Sequence, residues 1–427
     1  MRAFWSAAVL CLGLARIGVA AESDFFLKDG ETVVFYGDSI TAAGLYVDYV
    51  EAYLLTAFPD KQFHVVNRGI SSETIAGTSE PDHQPRRPNA LDRFTRDIAS
   101  TRPDVIVACF GMNDGNYAPF DPQRFRKFQN GLKLLKQRTR DQTTARLVVM
   151  TPPSYDPYRR QVVDPDALAY GYKFPVIDYD DVLGRYAEWL MSLREDGLTV
   201  VDLHTAMNRH LQRRREKKVS FSLQPDGIHP DATGHWLMAQ TLLEAWNAPA
   251  VSCEARIDAA DLKAVAGDVT NLRRDGQGIA FTWRMPPPMP MDPAWDAESI
   301  AIEKVRERFN RFRLTVTGLT AARYRLSADE PDAVEVDRAE LERGLDPLGC
   351  AAFSAGRRGG AILALVRKHQ QASRAAWQKD IATTAPSSAK GRRPARGEDE
   401  RAAAVLDEAL RRECRPRDVE VRLEPIP

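Results

Sequence analysis

Between about residues 31 and 250, short apolar runs alternate with longer amphipathic stretches of helical character. Continuous apolar runs are typical of strands buried on both faces, and helices between them predict parallel pairing. The predicted strands are 32–36, 63–66, 105–110, 147–151 and 198–201. The predicted helices include 46–58, 90–100, 122–138, 179–194 and 232–246. The pattern therefore predicts an α/β fold in which helices cover both faces of a parallel sheet.

The first predicted strand ends in Gly37-Asp38-Ser39, where the apolar pattern stops. A serine there lies at the carboxyl end of a strand and close to the next helix, where backbone N–H groups favour developing negative charge. This position suits a nucleophile. A Gly-Asp-Ser tripeptide also occurs by chance, and the alternative role for Ser39 is a helix cap.

Three further segments follow in order, each at the end of a predicted strand or in the loop before the closing helix. They are Asn67-Arg68-Gly69, Gly111-Met112-Asn113-Asp114 and Asp226-Gly227-Ile228-His229-Pro230. Together the four segments resemble the SGNH (GDSL-type) hydrolase family over about residues 31 to 248. The four letters of the family name correspond to Ser39, Gly69, Asn113 and His229. The resemblance implies a flavodoxin-like three-layer α/β/α domain and a serine ester hydrolase that needs no metal and no organic cofactor.

The chemistry of ester cleavage explains these residue types. A serine hydroxyl becomes a good nucleophile when a base removes its proton, and the imidazole of His229 is the candidate base. Asp226 stands three residues earlier in a turn-forming segment, so its carboxylate can orient the imidazole. The tetrahedral oxyanion needs hydrogen-bond donors. The resemblance assigns them to the backbone N–H of Ser39, the backbone N–H of Gly69 and the side-chain amide of Asn113.

Position 72 departs from the family pattern. Many members carry a second glycine three residues after the one that matches Gly69, whereas this chain has Ser72. We expect Ser72 to cap a helix that follows it, and a narrower loop is the alternative.

Two loops beside the predicted site are candidates for substrate contacts. Residues 116–120 follow Asn113 closely, and residues 152–175 form a long connection. That connection contains Tyr155, Tyr158, Tyr170 and Tyr172. Their rings could stack on sugars or line an acyl pocket, and ordinary loop packing is the alternative. The basic run 213–218 predicts a solvated helix end, with contact to an anionic substrate or cell-wall polymer as the alternative.

The first 21 residues have the pattern of a cleaved secretory signal peptide. Arg2 precedes an apolar stretch, and small residues come before the polar segment that begins at Glu22, which places the cut after Ala20 or Ala21. An uncleaved membrane anchor is the alternative, but the apolar stretch is short for a bilayer span. The predicted location is therefore secreted or periplasmic.

Charge and cysteine content narrow the possible partners. Lysine and arginine together number 59, as do aspartate and glutamate, so the chain has no net charge. That balance gives no reason to expect a nucleic-acid partner, and no later segment predicts stable membrane insertion. Cys109, Cys253, Cys350 and Cys414 could pair after export without forming a dense framework. Cys109 lies inside an apolar run and is predicted to be a small buried residue.

The length of 427 residues exceeds that of a typical single domain. We expect a catalytic domain at 24–250, a smaller β-rich accessory region with a helical end at 251–382, and a linker with a helical tail at 383–427. The helices of the last two parts are predicted at 361–381 and 398–413, with a flexible Ala-, Ser- and Pro-rich linker between them.

Strand patterns in the accessory region predict two β units. The first has strands at 255–261 and 278–283 on either side of a turn at 274–277. The second is a hairpin of 312–318 and 322–327, both of which alternate apolar and polar residues.

The leading functional hypothesis is a secreted serine hydrolase that cleaves short-acyl esters, such as O-acetyl groups on carbohydrate, through an acyl-enzyme on Ser39. A lysophospholipase, thioesterase or lipase of the same family is one alternative, and an acyltransferase is another. A hypothesis of a different class is a non-catalytic carbohydrate-binding protein on the same fold.

Overall fold

The computed structural model describes residues 25–81, 83–159, 170–384 and 398–427. The first sheet consists of β1 (Thr32–Gly37), β2 (His64–Asn67), β3 (Val105–Cys109), β4 (Arg146–Met150) and β5 (Thr199–Val201). Its strands are all parallel and have the order β2-β1-β3-β4-β5. This is the flavodoxin-like order. The predicted fold class and the five predicted strands are confirmed.

Helices cover both faces of this sheet. They are α1 (Ser39–Ala43), α2 (Leu45–Ala57), α3 (Pro122–Gln142), α4 (Tyr179–Ser192), α5 (Leu203–Lys217) and α6 (Ala232–Ala245). Every residue of β3 is buried, as is every residue of β1 except the first, which requires cover on both sides. The helices predicted from the apolar spacing correspond to α2, α3, α4 and α6.

The segment predicted as a helix at 90–100 has a different backbone. Ala90–Arg93 and Ala99–Thr101 are 3₁₀ turns, and Phe94–Ile98 is a π-helical turn. Phe94 and Ile98 are nevertheless fully buried. The apolar spacing therefore identified the buried face, although the hydrogen-bond pattern is not α-helical.

Two further sheets form the C-terminal part. Their strands are β6 (Val251–Asp258), β7 (Lys263–Ala266), β8 (Val269–Asp275), β9 (Gly278–Met285), β10 (Asn310–Thr317), β11 (Arg323–Ser327), β12 (Val334–Asp337) and β13 (Arg417–Pro425). One sheet has the order β10-β6-β7, and the other has the order β12-β11-β13-β9-β8. The β-rich character predicted for this part is confirmed.

The two predicted β units pair differently from the expectation. The turn at 274–277 is present, but it joins β8 to β9, and β6 belongs to the other sheet. The predicted hairpin of 312–318 and 322–327 is wrong, because β10 pairs in parallel with β6 whereas β11 pairs with β12 and β13. Leu314 and Leu326 are both fully buried. Alternation thus identified the buried face of each strand, but it does not specify the partner strand.

The C-terminal helices are α7 (Ala297–Ile302), α8 (Val305–Phe309), α9 (Arg338–Arg343), α10 (Ala355–Thr384) and α11 (Glu398–Glu413). Helix α10 begins earlier than predicted, and α11 matches the predicted helix. Most of the predicted linker lies outside the described residues. Helix α10 packs against α11 and also against α2 and β2 of the first part. Strand β13, which the sequence did not predict, lies between β11 and β9.

An aromatic cluster joins the first part to the C-terminal part. Trp236 of α6 lies against Trp295 with ring centroids 4.5 Å apart and against Phe309 at 5.3 Å. Tyr49 of α2 meets Trp295 edge-on at 5.1 Å. The three catalytic, accessory and tail segments proposed from the sequence remain a proposal, and buried residues of all three belong to one continuous core.

The basic run 213–218 contains the end of α5, as predicted, but it is not uniformly solvated. Arg214 is buried, and its Nε donates to Asp296 Oδ2 at 3.0 Å. Lys217 is exposed and forms an ion pair with Glu298. The prediction of a solvated end is therefore wrong for Arg214, which helps to attach the segment around α7 to α5.

The thiols of Cys109, Cys253, Cys350 and Cys414 are all free, and Cys109 is buried in β3 as predicted. Within the described ranges, none of the helices combines the length and apolar character that a bilayer span requires. The predicted signal peptide, residues 1–21, lies outside those ranges.

Candidate active site

The candidate nucleophile lies in the tight turn between β1 and α1. The N-cap of α1 is Asp38, whose Oδ1 accepts the N–H of Ile40 at 3.0 Å. The cap role considered for Ser39 therefore belongs to its neighbour. A Cβ at Gly37 would lie 2.7 Å from the carbonyl oxygen of Cys109, so the turn requires glycine there. The turn places Ser39 at the carboxyl edge of the sheet, where ligands of such folds bind.

Ser39, His229 and Asp226 form a hydrogen-bonded chain. Ser39 Oγ lies 2.9 Å from His229 Nε2, and His229 Nδ1 lies 2.7 Å from Asp226 Oδ2. The other carboxylate oxygen, Oδ1, accepts the N–H of Ile228 at 2.9 Å and the N–H of His229 at 2.7 Å. In this arrangement Nε2 can accept the hydroxyl proton while Nδ1–H donates to the carboxylate.

The carboxylate of Asp226 is held in its ionised form. Burial raises its pKa, but hydrogen bonds from the His229 side chain and from the N–H groups of His229 and Ile228 outweigh burial. The pKa of Asp226 is therefore well below its usual range. An ionised carboxylate can stabilise an imidazolium that forms beside it.

The loop after β4 supports the segment that carries the Asp–His pair. Asp156 is fully buried, and its N–H donates to Gly227 O at 2.9 Å. Its Oδ2 accepts from Arg215 Nη2 at 2.7 Å and from Ser222 Oγ at 2.5 Å. The sequence analysis did not identify Asp156, because nothing local distinguishes it from a loop aspartate.

The side chain of Asn113 is almost fully buried and makes four polar contacts. Its Nδ2 donates to Glu73 O at 3.0 Å and lies 3.4 Å from Asp38 Oδ2. Its Oδ1 accepts from Tyr117 OH at 2.8 Å and from Arg87 Nη1 at 3.1 Å. With two donors at Oδ1, the amide is oriented with Nδ2 toward the turn after β1.

Arg87 is a further site residue that the sequence analysis missed. Its Nε and Nη2 donate to the two carboxylate oxygens of Glu80 at 2.5 and 2.7 Å. Its Nη1 lies 3.1 Å from Asn113 Oδ1 and 3.4 Å from Ser72 O. The buried ion pair thus fixes the asparagine amide relative to the loop that contains Ser72. Arg87 lies in an irregular segment, where no periodicity could indicate its burial.

The backbone N–H of Gly69, which the family resemblance assigned to the oxyanion, has another partner. It donates to Asn67 Oδ1 at 2.9 Å. A Cβ at Gly69 would lie 2.3 Å from Ala42 N and 2.6 Å from Thr41 C. The glycine therefore allows close packing of the loop after β2 against α1.

Ser72 does not cap a helix, contrary to the expectation. No helix follows it directly, and its φ of 66° lies in the left-handed region. Glycine adopts this region without steric cost, which agrees with the glycine that many family members have here. Within the described part of the chain, no acceptor is found for the Ser72 N–H.

Two buried carboxyl groups lie beside the site. Burial raises the pKa of Asp38 to about 6, although its hydrogen bond from the Ile40 N–H acts in the opposite direction. Burial also raises the pKa of Asp114 to about 7. Asp114 accepts the N–H of Ala76 at 2.8 Å and the N–H of Gly111 at 2.9 Å, and it thereby joins two loops at the edge of the sheet.

The tyrosines of the long connection have different surroundings. They are Tyr155, Tyr158, Tyr170 and Tyr172. Tyr155 is buried, so ordinary packing describes it, whereas Tyr158 is 83% exposed. The ring centroid of Tyr172 lies 6.4 Å from that of His229. The Tyr172 N–H donates to Glu80 Oε1 at 3.2 Å, which links this tyrosine to Arg87. Tyr172 is thus the tyrosine of this group whose ring lies against the catalytic histidine candidate.

The described residues contain no cluster of three or more His, Cys, Asp or Glu side chains with the arrangement of a metal site. The sequence-based expectation that catalysis needs no metal stays a prediction.

Comparison with known proteins agrees with the fold and with the class of enzyme. The parallel α/β/α sheet with four segments at its carboxyl edge defines the SGNH class of ester-bond hydrolases. Residues 35–237 match the model of the GDSL-like Lipase/Acylhydrolase family, so this region of the chain is a GDSL-type hydrolase domain.

Two similar proteins extend the comparison. The acetylxylan esterase of Geobacillus stearothermophilus is 25% identical over 243 residues, which are 51% of this chain and 94% of that protein. A solved structure described as BT4096, a gut microbial diltiazem-metabolizing enzyme, is 22% identical with a TM-score of 0.72. It covers 94% of this chain and 98% of its own, so the shared fold includes the C-terminal part.

Proposed function

We propose that this ester hydrolase removes short acyl groups, above all O-acetyl groups of carbohydrates, through an acyl-enzyme on Ser39. The observation that carries the proposal is the contact chain of 2.9 Å from Ser39 Oγ to His229 Nε2 and 2.7 Å from His229 Nδ1 to Asp226 Oδ2. These three groups fit the roles of nucleophile, base and orienting carboxylate.

In the proposed reaction, His229 Nε2 accepts the hydroxyl proton while Ser39 Oγ forms a bond to the ester carbonyl carbon. The carbonyl electron pair moves to oxygen and gives the tetrahedral oxyanion. The bond to the alcohol oxygen then breaks, and the imidazolium returns its proton to that oxygen. Water attacks the acyl-enzyme in the same way, with His229 again as base, and releases the acid. The ionised Asp226 offsets the imidazolium charge in both halves.

For the oxyanion we propose the backbone N–H of Ser39, the backbone N–H of Ser72 and the Nδ2 of Asn113. The peptide carbonyl of Glu73 accepts from Asn113 Nδ2, so the loop around Ser72 lies against the asparagine. The second hydrogen of Nδ2 has only a 3.4 Å contact with Asp38 Oδ2, and a developing oxyanion is a stronger acceptor for it. Gly69 is not included, because its N–H is bonded to Asn67.

Two observations support a carbohydrate ester as substrate. One is the similarity to a protein named acetylxylan esterase, which spans most of that protein's length. The other is the position of the Tyr172 ring beside His229, because aromatic rings present an apolar face that suits a sugar ring. A short acyl group with a sugar as the leaving alcohol fits both observations.

The test compares p-nitrophenyl esters of increasing acyl length with acetylated xylooligosaccharides, with and without EDTA, and uses Ser39→Ala as the inactive control. We expect acetyl esters to be the best substrates, EDTA to have no effect, and Ser39→Ala to lose all turnover. A preference for long acyl chains would favour a lipid esterase. Transfer of the acetyl group to a sugar in preference to water would favour an acyltransferase.

Tyr172→Ala gives a sharper test of the sugar contact, with Tyr158→Ala as the matched control. We expect Tyr172→Ala to raise KM for acetylated xylooligosaccharides by ~2–10-fold, since ring stacking contributes roughly 0.5–1.5 kcal/mol. Turnover of p-nitrophenyl acetate should stay within about twofold, because that ester lacks the sugar. Equal effects of the two tyrosine substitutions would contradict the proposed contact.

We also propose that the chain is exported, on the basis of the signal-peptide pattern in residues 1–21. N-terminal sequencing of the exported protein should give a first residue of Ala21 or Glu22. A mature chain that begins with Met1 would contradict cleavage.

A further inference from the structure

Helix α10 of the C-terminal part lies along the catalytic domain. Its Gln370 Nε2 donates to Glu51 Oε2 of α2 at 2.6 Å and to Val65 O of β2 at 3.0 Å. His369 Nδ1 lies 2.8 Å from Glu51 Oε1. These contacts fix the middle of α10 on the strand that leads into the loop containing Gly69 and Ser72.

The next turn of α10 reaches that loop through Arg374. Its Nη1 donates to Ala42 O at 2.6 Å, and its Nη2 donates to Gly69 O at 3.2 Å. Nη1 also lies 3.4 Å from Asn67 Oδ1. One guanidinium group therefore bridges the helix that carries Ser39 and the loop after β2.

Asn67 completes the bridge from inside the domain. Its Nδ2 donates to Thr41 O at 2.7 Å, and its Oδ1 accepts the Gly69 N–H at 2.9 Å. The loop after β2 and the end of α1 thus share the two side chains Asn67 and Arg374. A change at Arg374 would act on the relative position of both segments.

Trp377, one turn further along α10, covers the same loop. Its ring lies 4.7 Å from the guanidinium of Arg68 and 5.8 Å from that of Arg93, and the tryptophan is buried. Arg93 in turn donates to both carboxylate oxygens of Glu73 at 2.6 and 2.5 Å and to Arg68 O at 2.7 Å. The residues on both sides of Ser72 are therefore anchored to α10 and its contacts.

We propose that Arg374 is a positioning residue for the ester-hydrolase site, through which the C-terminal part sets the distance between Ser39 and the oxyanion loop. The inference rests on the proposed function, since it assumes that Ser39 and the loop containing Ser72 meet the same reacting carbonyl. Donors to an oxyanion act only when they are held within a fraction of an ångström, and misplacement by about 1 Å can cost on the order of 100-fold in rate. The chain thereby uses an element outside its GDSL domain to complete the geometry of the site.

The test compares Arg374→Ala with Arg358→Ala, a matched substitution in the same helix. Arg358 is buried whereas Arg374 is half-buried, and like Arg374 it donates to two backbone carbonyls, those of Glu413 and Arg415 at 2.9 and 2.8 Å from its Nη2. Those carbonyls belong to the C-terminal part, remote in the chain from the catalytic loops. Both variants should lose stability, but only Arg374→Ala should lose activity.

We expect Arg374→Ala to lower kcat for p-nitrophenyl acetate by ~10–100-fold with little change in KM. Guanidinium ion, at concentrations far below those that unfold the protein, should restore part of the lost rate to this variant and none to the parent. Arg358→Ala should keep kcat within about twofold. Arg374→Lys, which can reach one oxygen but cannot bridge them, should have an intermediate kcat.

Active-site titration with diethyl p-nitrophenyl phosphate tests the nucleophile separately from the positioning role of Arg374. If the parent protein does not react at Ser39, the proposed function fails. If the parent reacts and Arg374→Ala keeps kcat within about twofold, or Arg358→Ala loses as much as Arg374→Ala, the positioning role is overturned. If Arg374→Ala does not fold, Arg374→Lys decides the question, and a parent-like kcat per titrated site in that variant would overturn the proposal.

Discussion

At the scale of single residues, the spacing between Asp226 and His229 has a direct structural reason. The Oδ1 of Asp226 accepts the backbone N–H groups of Ile228 and His229, which closes a turn. The turn brings Oδ2 within 2.7 Å of His229 Nδ1. Because this contact is local in the chain, the sequence is sufficient to predict the pair.

Asn113 provides the first prediction at this scale. Asn113→Ala is expected to lower kcat by ~10²–10³ with a much smaller change in KM, because the amide donates mainly to charge that develops in the transition state. Asn113→Asp keeps the shape but replaces the donor with an acceptor, so it should be no better than the alanine variant. Both parameters are measured on protein whose circular dichroism spectrum matches the parent.

Tyr117→Phe is the control for this prediction, because it removes one of the two donors to Asn113 Oδ1 and leaves Nδ2 in place. It should lose far less activity than either substitution at Asn113. A near-native kcat for folded Asn113→Asp would remove the amide from the proposed set of oxyanion donors.

The directions of the N–H groups in the oxyanion loop are harder to predict from the sequence than the Asp–His pair. Gly69 matches a family letter, yet its N–H is bonded to Asn67. Ser72 departs from the family, yet its left-handed φ of 66° is the one that glycine favours. Residue identity predicts that the loop is tight, but the direction of each N–H depends on backbone angles that no local pattern specifies.

At the scale of elements, the parallel sheet was predictable because β1 and β3 are continuous apolar runs separated by helical stretches. The C-terminal strands were less predictable. Strands β10 and β11 alternate as a hairpin would, but β10 pairs with the distant β6, and β11 pairs with the next strand, β12, and with the distant β13. Alternation reports which side chains face the core, whereas the choice of partner strand depends on the whole region.

The interface of α2 and α10 provides a prediction with a pH dependence. Asp48 of α2 is buried, and this burial is the main reason that its pKa rises from 3.8 to about 8. The negative charge of the nearby Glu51 raises the pKa further, whereas Arg367, Arg374 and His369 lower it. Between these two values the folded protein holds a proton that the unfolded chain has lost. The free energy of unfolding should therefore fall as pH rises from about 4 to about 8.

Asp48→Asn removes this titration. Relative to the parent, the variant should be more stable at pH 9 than at pH 5 by on the order of 4 kcal/mol, measured by urea unfolding at both values. Asp60→Asn, at an exposed position, should have a small and equal effect at both. A stability difference for Asp48→Asn that does not change with pH would contradict the buried, protonated acid.

At the scale of the whole molecule, the end of the chain returns to the core of the C-terminal part. Strand β13 pairs with β11 on one side and β9 on the other, and Val421 and Leu423 are fully buried there. The sequence did not predict this strand, because its charged residues alternate with few apolar ones and its partners are far away in the chain. Helix α10 packs on α2 and β2 of the catalytic domain, and the chain then continues through α11 into β13. The C-terminal segment therefore contacts both the catalytic domain and the five-stranded C-terminal sheet.

Val421→Ser and Arg422→Ser test the central position of β13 with the same new residue at neighbouring positions. Val421 is fully buried, so its replacement should lower the free energy of unfolding by ~2–4 kcal/mol through lost apolar burial and a buried hydroxyl. The Arg422 side chain is 49% exposed, and its loss should cost less than about 1 kcal/mol. Similar losses for the two variants would contradict the central placement of the strand.

Covalent labelling with diethyl p-nitrophenyl phosphate is the decisive test of whether Ser39 is the nucleophile of a Ser–His–Asp site. Ser39 Oγ forms a bond to phosphorus as p-nitrophenolate leaves, and His229 takes the hydroxyl proton. We predict one diethylphosphoryl group per chain, located on Ser39 by peptide mass spectrometry, with loss of esterase activity in proportion to labelling and no label on Ser39→Ala. A label on another residue, or full activity in the protein labelled at Ser39, would contradict the role of Ser39 as nucleophile.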